Sequence, residues 1–298
     1  MTNIKLPNVR GEYRFGFNLS QITWFKVGGK AEIFYKPADS EDLQFFLSNI
    51  DKNIPITVIG NCSNTIIRDG GVDGIVIKLG RNFAEVDQIS DDIISVGAGS
   101  LNSTVATFAL QNSFSNLEFL IGIPGTIGGG IRMNAGSYGT EFKDVLIKFK
   151  AIDFTGKIHE FDSCTDLFSY RKCLLPEDLI FIEAQFRVIN KAQSLIKDEM
   201  QRISEKRADT QPIKEKTGGS TFANPDGNSA WKLIDYVGLR GYKIGGAEFS
   251  SKHCNFMINT GSATAKNLED LGEFAITKVK ESTGIELKWE IKRIGKYD

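Results

Sequence analysis

Residues 122–139 read GIPGTIGGGIRMNAGSYG, seven glycines in eighteen positions. That density would suit a flexible linker, but linkers of this kind are polar and rich in serine. This stretch instead carries Ile123, Ile127, Ile131 and Met133 and follows Ile121. Glycine mixed with residues of buried type marks backbone pressed against something, either another segment of the chain or a ligand.

A glycine-rich turn can cradle phosphate, because its N–H groups reach an anion without steric hindrance. The P-loop pattern G-x-x-x-x-G-K-[ST] is absent: VGGKAE (27–32) has the lysine but neither the earlier glycine nor the hydroxyl residue. The dinucleotide fingerprint G-x-G-x-x-G is absent too, since VGAGSLNS (96–103) places Asn102 where the third glycine belongs. A second turn, VIGNCSNTIIRDGG (58–71), lines up Gly60, Asn61, Cys62, Ser63 and Asn64. Small and amide side chains there expose consecutive N–H donors, which suits a pyrophosphate. Taken alone, the same turn reads equally well as a tight turn with an Asx cap.

Around these turns lie β-type runs: ITVIG (56–60), GIVIKLG (74–80), IISVGAG (93–99), VLIKFKAIDF (145–154) and LIFIEAQFRVI (179–189). Helical patches fall between them, SEDLQFFLSNI (40–50) with Ser40 as N-cap and NSTVATFALQNS (102–113). Strands outnumber helices without regular alternation, so the fold class is α+β. A charged helix over 194–209 marks a boundary, giving domains 1–193 and 194–298. The second holds helix 228–238, strand 253–261, helix 264–284 with Thr264 as cap and Gly284 as stop, and strand 287–295.

The 298 residues carry a formal charge of −1, which gives no field for nucleic acid or an anionic membrane surface. No apolar run is long enough to span a bilayer, and MTNIKLPNVRGEYRF lacks the apolar core of a signal peptide, so a cytoplasmic protein is expected. The four cysteines, at 62, 164, 173 and 254, form no C-x-x-C pair and are expected as reduced thiols. With only His159 and His253 beside them, no metal site is expected.

The ordered set TWFKVGGKAE (23–32), VIGNCSNTIIRDGG, GIPGTIGGGIRMNAGSYG, SYRKC (169–173), GGSTFANP (218–225), KHCNFMIN (252–259) and WEIKRIG (289–295) resembles the UDP-N-acetylenolpyruvoylglucosamine reductase family, flavoenzymes of bacterial cell-wall synthesis. The resemblance runs from about residue 20 to the C-terminus. It implies an FAD-binding domain of the PCMH type, like that of vanillyl-alcohol oxidase, followed by a C-terminal α+β substrate domain. It implies dissociable FAD, NADPH as co-substrate, and reduction of UDP-N-acetylglucosamine enolpyruvate to UDP-N-acetylmuramate. The flavin would be held by Gly60, Asn61, Cys62, Ser63 and Asn64 around its pyrophosphate, and by Gly125, Thr126, Gly128, Gly129, Asn134, Gly136 and Tyr138 under the rest.

Such a reduction delivers hydride to the β-carbon of an enolpyruvyl ether and leaves an enolate at the α-carbon that must be protonated. The site therefore needs a cation or donor for the developing charge and a positioned acid. The resemblance assigns these roles to Arg171 as the cation, Ser220 as the proton donor and Glu290 as the third catalytic group. Without it, Arg171 reads as a surface arginine, Ser220 as a turn serine bonding its own backbone, and Glu290 as part of a solvated strand face, with Leu287, Trp289 and Ile291 facing inward. Tyr170, Lys214, Lys216, Asn224 and His253 are candidates for substrate contact. His253 has a second reading, as a satisfied buried histidine beside Cys254 and Asn255.

In one respect the chain departs from part of the family. Only KCLLPED separates Arg171 from the strand beginning at Leu179, leaving no room for the tyrosine-bearing insertion that closes over substrate in longer members. Two rival readings remain: another oxidase or dehydrogenase of the same FAD fold, and a non-catalytic flavin or nucleotide-sugar binding protein.

Overall fold

A computed structural model describes residues 4–163 and 165–298. Cys164 thus lies outside the described residues. The chain forms two compact units, interleaved in sequence rather than divided by one cut. The first comprises the described residues up to Arg14, then Phe34–Asn61 and Gly74–Glu205; the second comprises Phe15–Ile33, Cys62–Asp73 and Lys206–Asp298.

In the first unit, five antiparallel strands run in the order Ile158–Asp162, Leu146–Asp153, Leu179–Arg187, Ile93–Gly97, Val86–Gln88. Along Leu146–Asp153, Phe149 and Ala151 are buried in the core, and register shifts at Leu146/Lys148 and Lys150/Ala151 interrupt the alternation. Phe149 lies opposite Phe161 on one side and Ala184 on the other, with the Phe149 and Phe161 rings stacked at 5.2 Å. The helices Asn102–Gln111 and Gln193–Thr210 bring Val105, Ala106 and Ala109, and Ile196 and Met200, to the same core.

The helix Ser40–Asn49 buries Leu43, Phe46 and Leu47, a three-four spacing that gives one apolar stripe. Its N-cap is Asp39, not the expected Ser40. The Asp39 carboxylate accepts from the Asp42 N–H at 2.9 Å, one residue upstream of where the serine hydroxyl would have served. Asp42 itself is 3% exposed and accepts from four donors: the N–H groups of Arg10 (2.6 Å), Gly11 (2.9 Å) and Ala38 (2.9 Å), and the Tyr35 hydroxyl (2.7 Å). Burial alone would push this carboxyl up, but the four bonds outweigh it and hold it below its ordinary 3.8. A depressed folded value adds stability above the unfolded value that is lost as pH falls through the folded one. Asp42→Ala, which orphans all four donors, is expected to cost about 3 kcal/mol at neutral pH. Chemical denaturation at pH 7 and below pH 4 checks this, since the gap between variant and parent should narrow in acid.

In the second unit, a four-stranded antiparallel sheet has the order Lys216–Ser220, Phe256–Asn259, Ala247–Phe249, Lys243–Ile244. It packs with helices Ala230–Tyr236 and Ala265–Thr283 around Phe25, Phe222, Leu233, Phe249, Met257, Leu268 and Leu271. The long helix begins as its sequence requires, with Thr264 and Asn267 forming a capping box, and stops at Gly284 in the left-handed region (φ +73°). The Asp69 carboxylate adds two further bonds at its start, to Ala265 N–H (2.9 Å) and Lys266 N–H (3.0 Å).

The strand expected over 287–295 is broken in two. Lys288–Trp289 pairs antiparallel with Phe222–Ala223, and Lys292–Ile294 runs parallel to Thr65–Ile67. Of the expected inward set, Leu287 and Ile291 are buried, while Trp289 is half-buried at the edge of the core. No helix among the described residues is long and apolar enough to cross a membrane. Among the described residues, Cys62, Cys173 and Cys254 are buried and form no disulfide.

Candidate functional site

The glycine segment is partly helix, which its reading as a glycine-rich turn missed. Ile127–Arg132 forms an α-helix with Thr126 as N-cap, its hydroxyl accepting from Gly129 N–H at 3.3 Å. Several of the glycines answer to the protein's own packing. A Cβ on Gly130 would lie 2.1 Å from the Phe142 ring, and one on Gly122 would lie 2.9 Å from the Tyr138 ring. Gly129 and Gly139, by contrast, leave exposed backbone. The segment is laced to the end of strand Ile93–Gly97: Gly128 N–H donates to Ala98 O (2.8 Å), Ile127 N–H to Ser100 O (2.9 Å), and Asn102 N–H to Gly125 O (3.1 Å).

Gly60 meets this segment within the first unit. A Cβ there would come within 2.8 Å of the Thr126 hydroxyl, so the Gly60 turn adjoins the N-cap of the Ile127–Arg132 helix. Lys78, not singled out in the sequence, donates to Gly60 O at 2.6 Å. Beside them lie two buried polar atoms, Ser100 Oγ and Asn102 Oδ1, that have no hydrogen-bond partner among the described residues.

The same unit carries Arg171 at the tip of a hairpin. Phe168–Ser169 pairs with Lys172–Cys173, leaving a two-residue loop, Tyr170–Arg171. Arg171 has φ +57°, the left-handed region in which glycine is at ease and a branched chain is not. Its Nη2 donates to Gly136 O (3.0 Å), its Nη1 lies 3.6 Å from Glu141 Oε1, and its guanidinium stands 5.0 Å from the exposed Tyr170 ring. Gly136–Ser137 and Thr140–Glu141 form a second small hairpin, turning through Tyr138 (φ +52°) and Gly139 (φ +93°). Two successive positive φ values are what a tight hairpin turn demands. Asn134 is fully buried, its amide bonded to Glu141 Oε2 (3.0 Å), Ser169 O (3.1 Å) and Lys143 N–H (3.1 Å).

In the second unit, Ser220, Glu290 and the 63–64 turn adjoin through backbone contacts. The Asn64 amide donates to Glu290 O (3.1 Å), and Glu290 N–H donates to Thr221 O (2.9 Å). A Cβ on Gly219 would lie 3.9 Å from Ser63 O. Ser220 follows a register shift between Thr217 and Ser220, with Gly219 at φ +78°; such bulges re-aim side chains. Thr221 Oγ1, next to it, is buried and has no hydrogen-bond partner among the described residues. Cys62 stands in the left-handed region at φ +50°.

Apart from Tyr170, which lies in the first unit, the softer substrate candidates are scattered across this unit. Lys214 and Lys216 are exposed. Asn224 accepts the Ala230 N–H (2.9 Å) at the start of helix Ala230–Tyr236. His253 accepts from Asn255 N–H (3.3 Å) and meets the Phe256 ring edge-on at 4.8 Å. Burial, with the positive charge of Arg240, holds its imidazole below the ordinary 6.5.

An FAD-binding family model matches residues 31–162, and one described as UDP-N-acetylenolpyruvoylglucosamine reductase, C-terminal domain, matches residues 211–294. The fold is therefore that of an FAD-binding PCMH-type flavoprotein with a C-terminal α+β domain. A UDP-N-acetylenolpyruvoylglucosamine reductase of Rickettsia akari is 56% identical, covering 98% of this chain and 99% of its own. One of Rickettsia bellii is also 56% identical, covering 98% of this chain and 97% of its own. The crystal structure of the enzyme from Thermus caldophilus superimposes with a TM-score of 0.83 at 32% identity, covering 97% of this chain and all of the other. The chain belongs to the UDP-N-acetylenolpyruvoylglucosamine reductase family.

Proposed function

We propose that this chain catalyses the NADPH-dependent, FAD-mediated reduction of UDP-N-acetylglucosamine enolpyruvate to UDP-N-acetylmuramate, a step of peptidoglycan precursor synthesis. The observation that carries it is likeness along almost the entire chain to reductases of that name. In this reading residues 1–193 serve the flavin and residues 194–298 the sugar nucleotide. The reaction belongs to the cytoplasm, a compartment in which buried thiols such as Cys173 and Cys254 stay reduced.

The residues fit a flavin. Gly60 leaves room for Thr126 against it, Gly129 and Gly139 leave backbone uncovered, and Ser100 and Asn102 hold orphaned polar atoms beside the glycine segment. Gly60, Asn61, Cys62, Ser63 and Asn64 would hold the diphosphate, and Gly125, Thr126, Gly128, Gly129, Gly136 and Tyr138 the remainder, without a covalent bond. Asn134 would serve by shaping that segment, since its amide is engaged by Glu141, Ser169 and Lys143. The bound FAD supplies hydride transfer.

The chain's own residues supply the rest. Arg171 binds the substrate carboxylate and stabilises the charge that grows there as the enolate forms. Its place at a left-handed hairpin position supports the role, because strain of that kind is retained where a side chain is needed. Ser220 hands a proton to the α-carbon. Glu290, tied to the strand beside Ser220, assists that transfer. Asn224, Tyr170, Lys214, Lys216 and His253 are proposed contacts of the sugar nucleotide.

The test is an absorbance spectrum of the purified protein, then anaerobic NADPH, then the enolpyruvyl substrate. Flavin bands that bleach with NADPH and return with substrate are expected. Bands that bleach without returning would transfer the chain to an oxidase activity, and no bands after reconstitution with FAD would refute the flavin assignment.

A further inference from the structure

Arg171 is held from outside its own hairpin, and the holder has a charge. Gly136 and Glu141 face each other across one rung of the 136–141 hairpin, and both reach the guanidinium. Gly136 O takes Nη2 at 3.0 Å, while Glu141 Oε1 stands 3.6 Å from Nη1, beyond a hydrogen bond but well within ion-pair range. The other carboxylate oxygen, Glu141 Oε2, is tied to Asn134 Nδ2 and Lys143 Nζ, each at 3.0 Å. Asn134 also donates to Ser169 O, two residues before Arg171, and so fastens the arginine hairpin to the segment that bears Glu141.

An arginine that must take up a substrate carboxylate cannot be gripped bidentately by an internal one, because the same planar fork would serve both. Left wholly without a counter-charge it would wander among rotamers and lose the pre-organisation that catalysis needs. Glu141, drawn back by its bonds to Asn134 and Lys143, meets both demands. We propose that Glu141, anchored by Asn134, is a positioning residue that orients the Arg171 guanidinium for the substrate carboxylate. This rests on the assignment of Arg171 as the carboxylate-binding cation.

The test separates the two half-reactions of the FAD-loaded full-length protein by stopped-flow absorbance. Glu141→Gln keeps the size of the side chain and an acceptor for Asn134 but removes the charge. Flavin reoxidation by UDP-N-acetylglucosamine enolpyruvate should slow by about tenfold to a hundredfold, as for a modest misplacement of a reacting group, while flavin reduction by NADPH stays within about twofold. The midpoint of thermal unfolding should stay close to the parent's. In an Arg171→Gly background the same change should add little further loss, because Glu141 acts through the arginine.

Reoxidation at the parental rate in Glu141→Gln would overturn the proposal. Equal slowing of both half-reactions with a lowered unfolding midpoint would also overturn it, since that is the mark of a structural role. The same further loss in the Arg171→Gly background would do so while leaving the arginine assignment intact. Parental reoxidation in Arg171→Gly itself would instead remove the arginine assignment, and this proposal with it.

Discussion

Arg171→Gly is expected to lose flavin reoxidation by the enolpyruvyl substrate by at least about a hundredfold to a thousandfold, the usual cost of removing a group that stabilises developing negative charge. The same variant should fold as well as the parent. Glycine removes the left-handed strain at φ +57°, worth about 1 kcal/mol, and the lost bond to Gly136 O offsets it by about the same amount. The pairing of large kinetic loss with unchanged stability is the informative result, because an arginine kept for structure would give the reverse. Stopped-flow reoxidation and thermal unfolding on one preparation decide it.

Ser220→Ala is expected to slow reoxidation by about a hundredfold to ten-thousandfold, the range of a lost general acid. Bleaching by NADPH should be unaffected, since the hydroxyl has no part in it. The local geometry favours a clean outcome. The bend at Gly219 and the register shift that aim Ser220 are properties of the backbone, and alanine preserves both. Gly218 packs against Phe25, where a Cβ would lie 2.2 Å from the ring, so the bulge is held from the core side whatever stands at 220. Reoxidation of Ser220→Ala at the parental rate would strip the residue of its role.

How much of this was legible beforehand follows from the range of the contacts involved. The helix Ala265–Thr283 was readable end to end because its signals are local: an apolar stripe, Thr264 before it and Gly284 after it. The central strands were readable from β-branched and aromatic runs. Even there a local choice could slip by one residue, since Asp39 and Ser40 are both good caps and only the fold decides between them.

The break at Glu290 was not readable. It exists because Lys288–Trp289 and Lys292–Ile294 pair with strands far apart in sequence, Phe222–Ala223 and Thr65–Ile67. Glu141 escaped notice for a related reason. Its neighbour Lys143 suggests an ordinary surface pair, and only the arrival of the Phe168–Cys173 hairpin turns it toward Arg171. The glycine stretch was half legible. Its density announced close approach, but nothing in the sequence told that Gly130 meets Phe142 while Gly129 stays uncovered.

The interleaving of the two units bears on how the chain is made. Arg68 bonds to Gly295 across 227 residues, and the strand just before it, Thr65–Ile67, pairs with Lys292–Ile294. A ribosome adding about 5–20 residues each second must therefore leave this segment waiting for ten seconds or more with a vacant strand edge. The first unit, whose last large segment ends at Glu205, can settle during that interval; the second cannot close until residues 292–295 have been made. Loop closure over such a span is slow and the waiting edge is sticky. The vulnerable moment in the life of this protein thus falls on the nascent chain, and synthesis halted between Glu205 and Lys292 would leave a formed first unit joined to an unformed second.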